Sequence, residues 1–239
     1  MNTEYLIFNL IVISGPLSLS FDRKVHFVDK WHNVFKSILI SLAVFVTWDS
    51  IVTGRHWWFN DQYTVGVKIL KLPIEEWLFF ITIPYASLFI WEVFAAYFRN
   101  REFKRLQIVR SILYFGFPIG MILFFIGKEY TGLVLIFLGL VALLDWKLKT
   151  KIFIQLRTIQ YVAISTLAML IFNGFLTWWP VVLYNEAYQL GIRIFTIPIE
   201  DFGYGYALIL LCTILYEKFK SASQQSAVLS LQSTVYCKM

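Results

Sequence analysis

Two acidic pairs stand at the mouths of apolar segments in this chain. Glu75 and Glu76 follow Leu72-Pro73-Ile74 and lead into Trp77-Leu78-Phe79-Phe80, and Glu200 and Asp201 follow Ile197-Pro198-Ile199 and lead into Phe202. Paired carboxyls in greasy surroundings are parts for acid–base work. A carboxyl stripped of water is penalised for its charge, so one member can give a proton while its neighbour takes one. Aromatic faces hold cations without being attacked by them, and Trp77, Phe80 and Tyr85 follow the first pair closely. Together these suit protonation of an alkene, passage through a carbocation, and loss of a proton elsewhere. Trp48 and Asp49, late in another apolar run, offer a third carboxyl at similar depth, or merely an interhelix hydrogen bond.

A plainer reading competes. Proline suits the first helical position, and an acid in the first turn gains about 0.3–1 kcal/mol from the helix dipole. On that reading the pairs only start helices. Three features weigh against it. A start needs one acid, and each copy has two; neighbours on a helix point about 100° apart, so one can face a bundle interior while the other meets a loop. The flanking residues are apolar, and ionisable groups within membrane spans are functional candidates by default. The helix N-terminus favours charge, which opposes the loss of hydration, and the sequence leaves that balance open.

The elements that must position the acids are membrane helices. Of 239 residues, 59% are hydrophobic and only 15% charged, far from the quarter charged of a soluble domain. Seven continuous apolar runs, at 4–20, 33–53, 74–97, 108–126, 131–146, 158–180 and 200–219, approach the roughly 20 residues a spanning helix needs; the first and fifth are short. They do not alternate, so a barrel is not expected. The first run lacks a basic lead-in and is no secretory signal. The odd-numbered connections and the C-terminal end carry 16 of the 21 Lys and Arg. The positive-inside rule then places the N-terminus outside and the C-terminus in the cytoplasm. The net charge of +6 is topological, and no nucleic-acid partner is expected without a soluble domain to carry a basic patch. Cys212, Cys237 and the three histidines show no metal or disulfide spacing. His56-Trp57-Trp58 and Trp178-Trp179 are expected as interfacial anchors.

The chain repeats itself at an offset of 125. The segment from Phe59, FNDQYTVGVKILKLPIEEWLFF, falls without a gap on YNEAYQLGIRIFTIPIEDFGYG from Tyr184, and Trp91-Glu92 falls on Tyr216-Glu217. The expected architecture is an all-α integral membrane protein: a seven-helix bundle of two parallel three-helix repeats, residues 1–100 and 131–220, joined by a linking span in 101–130. Parallel repeats pack about an axis along the membrane normal, which puts both acid pairs on one side, able to face each other. Residues 221–239 read as a mobile polar tail.

LPIEEWLFF and IPIEDFGYG, following YTVG and YQLG, resemble the lycopene cyclase domain of bacterial two-subunit carotenoid cyclases and fungal bifunctional carotenoid enzymes. The resemblance covers about residues 1–220 and looks like both subunits fused in one chain. It implies a lycopene β-cyclase embedded in the plasma (inner) membrane of a bacterium, an intramolecular lyase or isomerase that forms β-rings by acid–base chemistry without redox change. It also implies Glu75, Glu76, Glu200 and Asp201 as the acid site, with Pro73 and Pro198 as structural members. Asp201 stands where the first copy has Glu76, so the copies are not equivalent. The expected partners are lycopene and membrane lipids, with association with other carotenoid enzymes as a further expectation. No G-x-G-x-x-G follows a strand, so no flavin or nicotinamide cofactor is expected. A proton-coupled transporter or small channel is the alternative, since parallel repeats with intramembrane acids suit that class too.

Overall fold

The computed structural model describes residues 3–99 and 101–236. Seven helices follow the apolar runs: α1 Glu4–Leu19, α2 Trp31–Val52, α3 Ile74–Tyr97, α4 Gln107–Phe125, α5 Glu129–Leu148, α6 Leu156–Trp178 and α7 Ile199–Tyr236. Six are long and apolar enough to cross a membrane, and α1 is shorter. The fifth run, short in sequence, becomes a 20-residue helix. α7 runs on to Tyr236, so most of the segment expected as a mobile tail is helical. No Gly or Pro follows Gly205, and Ala, Leu, Gln and Ser continue a helix at little cost.

Each acid pair is delivered by the same device. A short hairpin, β2 Lys68–Ile69 with β3 Leu72–Pro73, runs into α3, and β5 Arg193–Ile194 with β6 Ile197–Pro198 runs into α7. Leu72 and Ile197 are fully buried and pin the hairpins to the bundle. Two further strands, β1 Trp57–Phe59 and β4 Val182–Tyr184, pair antiparallel, joining the two repeats over the acid end.

The core lies among α2, α3, α5 and α7. α4 packs on α5 through glycines. A Cβ on Gly120 would lie 2.5 Å from the Gly132 carbonyl oxygen, and one on Gly116 2.8 Å from that of Leu135. Such contact of bare backbones is how helices associate in lipid. The outer faces of α4 and α6 expose Ile112, Phe115, Ile122, Leu167 and Ile171, as expected of side chains facing lipid. At the end opposite the acids, Glu92 is buried between Lys30 and Lys220, each at 2.5 Å. Beside it Glu217 accepts from Trp91 Nε1 at 2.6 Å, and Arg157 lies 3.7 Å over the Trp91 ring. These contacts clamp α3, α6 and α7 together there.

Candidate functional site

One cavity of about 430 Å³ penetrates the bundle between the repeats. Its walls come from α1, α3, α6 and α7, with Asp49 from α2 and Tyr130 from α5. Glu76 and Asp201 both line it, so one acid of each pair faces a shared space. The other two carboxyls turn away. Glu75 Oε1 accepts from the Val65 amide at 2.6 Å, and Glu200 Oε1 accepts from the Leu190 amide at 2.7 Å and Thr131 Oγ1 at 2.6 Å. Val65 and Leu190 are themselves 125 apart. Each pair therefore splits by the 100° step of a helix: one acid to the cavity, one to the loop ahead of its hairpin.

Phenols surround the cavity acids. Tyr5 donates to Glu76 at 2.5 Å and Tyr130 to Asp201 at 2.7 Å; both pairs of residues are related by the offset of 125. The copies then diverge. Tyr184 donates to Asp201 at 2.6 Å, Asn173 Nδ2 donates to it at 3.0 Å, and Tyr204 donates to Asp49 at 2.6 Å. At the offset, Tyr184 and Tyr204 correspond to Phe59 and Phe79. Asp201 thus accepts from three side chains, while Glu76 and Asp49 each accept from one phenol. Partial burial, reinforced by Asp201 beside it, holds the Tyr184 phenol above its ordinary pKa, so it stays a donor.

The lid is aromatic. Trp57, expected at the interface, is 5% exposed and lines the cavity with Phe59 and Val182; the β1–β4 pairing draws it inward, whereas Trp58, Trp178 and Trp179 remain exposed. His56 is buried behind the lid against Glu129, 2.9 Å from Nε2. Burial lowers its pKa, and the Glu129 contact opposes that.

The structure thus brings Glu76, Asp201 and Asp49 together. Trp77, Phe80, Tyr85 and Trp48 do not line this cavity. Trp77 Nε1 donates to the Ile69 carbonyl at 3.2 Å and braces the first hairpin. Phe80 is fully buried against Phe45 and Phe79. Tyr85 lies nine residues past Glu76, half a turn out of phase, and bonds Ser20 and Trp31 Nε1. Trp48 packs on His56. Besides Trp57 and Phe59 of the lid, the rings that line the cavity are Phe8, Phe79 and Phe172, with the phenols. Sequence reasoning missed Tyr5 and Tyr130, although the repeat offset would have paired them with the acids. Asn173 was visible only as a polar residue within a span, and nothing in the sequence aims Tyr184 or Tyr204.

A sequence profile described as lycopene cyclase matches twice, over residues 2–94 and 127–219. A bifunctional lycopene cyclase/phytoene synthase of Aspergillus oryzae is 26% identical over 182 residues, covering 71% of this chain and 31% of that protein. A lycopene beta-cyclase of Halobacterium salinarum is 36% identical over 88 residues, 34% of this chain and 36% of that one. The chain spans about a third of the length of these curated relatives. No solved structure matches.

Proposed function

Because this chain belongs to the lycopene cyclase family, we propose that it cyclises the linear ends of lycopene to β-rings in the shared cavity, by acid–base chemistry alone. The observation that carries this reading is one apolar cavity holding carboxyls from both repeats at a single end. A transporter needs polar groups along a path; here the carboxyls, phenols and Asn173 gather at the acid end, and away from it the walls are aliphatic and aromatic apart from a few serines.

The reaction needs a proton added to C2 of the terminal alkene, closure of the C1 cation onto C6, and loss of the C6 proton to leave the ring double bond. Protons balance, and no electrons are exchanged. We assign Asp201 as the acceptor, because three donors support a carboxylate there. Glu76, with one phenol partner, is the donor facing it, and Asp49 is the third carboxyl of the chamber. Phe8, Phe79 and Phe172 present π-faces to the passing cation. Glu75 and Glu200 are positioning residues that hold the hairpins through the Val65 and Leu190 amides. The Lys and Arg distribution supports an acid end at the external leaflet. Repeats 1–100 and 131–220, joined through 101–130, form one catalytic unit, and association with other carotenoid enzymes accompanies this reading.

The test is conversion of lycopene by membranes containing the chain and no other carotenoid enzyme. The reading expects ring-bearing products of unchanged mass without added cofactor. Unchanged lycopene, from chain shown to be folded and membrane-inserted, would overturn it.

A further inference from the structure

The cavity changes character along its length. At the acid end its walls are buried: Tyr5 is 1% exposed, Phe8 5% and Leu176 3%, and Trp57 and Val182 close over them. Further along α1 the lining residues open outward. Ile11 is 59% exposed, and Ser14 and Gly15 are exposed too. A Cβ built on Gly15 would meet nothing within 4 Å. Across the cavity stand Ala168 and Met169 of α6. The two walls meet near the acid end, where Phe8 touches Phe172 and Phe175 at ring separations of 5.9 and 6.4 Å. Below that contact, Ile11 and Gly15 lie on the outer side of the cavity, within the apolar length of α1.

We infer that the gap between α1 and α6, at Gly15 and Met169, is a lateral doorway from the hydrocarbon layer. One end of a linear polyene enters through it, and the rest of the molecule stays in lipid while that end reacts. This rests on the cyclase reading and extends it to how the substrate is held. From Tyr5, bonded to Glu76, to Gly15 at the doorway, the rise along α1 is about 15 Å at 1.5 Å per residue. A fully extended C40 polyene is comparable to the hydrocarbon thickness of about 30 Å, so roughly half of it remains outside. The carboxyls and phenols gather at the closed end alone, so the site reads an end group and not a whole molecule. The far end stays in lipid while the near end reacts, so its size does not limit turnover of the near end.

The test has two arms, both with the full chain in membranes. Gly15→Trp narrows the doorway from a position where its Cβ meets open space; a drop in kcat/KM for lycopene of about tenfold or more is expected, with Leu10→Trp, exposed on α1 outside the cavity lining, within about twofold of the parent. Ser14→Trp, at a neighbouring lining position, repeats the block should Gly15→Trp fail to accumulate. In the second arm the parent chain receives a polyene with one linear end and one bulky ring, and turnover of the linear end within about threefold of lycopene is expected. Full activity in accumulated Gly15→Trp or Ser14→Trp, or tenfold discrimination against the ringed substrate, overturns the doorway while leaving the cyclase reading intact. Failure of the parent chain to convert either polyene overturns the cyclase reading itself.

Discussion

Replacing Tyr184 by Phe gives the second repeat the residue that the first has at Phe59, with no change in ring volume. The lost hydroxyl is one of three side-chain donors to Asp201, at 2.6 Å. A hydrogen bond to a charged group contributes about 1.5–3 kcal/mol. Tyr184 lies at the lid and is only half-buried, so water replaces part of the loss, and the lower figure of about 1.5 kcal/mol applies. At about 1.4 kcal/mol per tenfold in rate, kcat/KM for lycopene should fall about tenfold. Tyr130 makes the corresponding bond from deep in the bundle, 4% exposed, where no water substitutes. Tyr130→Phe should therefore cost about 2–3 kcal/mol, or roughly 30- to 150-fold. The assay is initial-rate conversion of lycopene in membranes with matched expression, resolved by chromatography of the ring-bearing products. If both variants stay within twofold of the parent, Asp201 does not depend on its donors, and its assignment as proton acceptor is refuted.

Other expectations follow from the same geometry. Glu75→Gln keeps an acceptor for the Val65 amide and stays out of the cavity, so it should retain at least a tenth of the activity, measured in the same assay. Gly120→Leu drives a side chain into the Gly132 carbonyl; overpacking of this kind costs about 1–3 kcal/mol or more and should show as lower melting temperature and reduced accumulation in membranes. Burial lowers the His56 pKa below its unfolded value of about 6.5. The folded protein then binds a proton there less readily than the unfolded chain, so this stabilisation is complete above about pH 6.5 and is lost as pH falls through the folded value. Thermal melts in detergent should show that acid loss in the parent and a shallower one in His56→Gln.

The helices were legible because lipid demands continuous apolar runs, and α2, α3 and α6 begin and end within about two residues of their expected bounds. The acid pairs and their common end were legible because the repeat is printed in the sequence. What was not legible depends on side-chain direction. Trp77 adjoins Glu76 in sequence, yet one helical step turns it toward the hairpin. Tyr204 bonds Asp49 across 155 residues, a pairing that only the packing of the two repeats creates. Trp57 reads as an interfacial anchor until strand pairing folds it over the cavity.

The central claim is that two copies of the motif make one site. Comparing Glu76→Gln with Asp201→Asn in lycopene conversion tests it most directly. Acid and base contributions are typically 10²–10⁴-fold each, so each single variant should lose at least about 100-fold, with no ring-bearing product above that residue. If each variant kept about half of the parent rate, the repeats would be two independent sites and the shared cavity would not be the place of reaction.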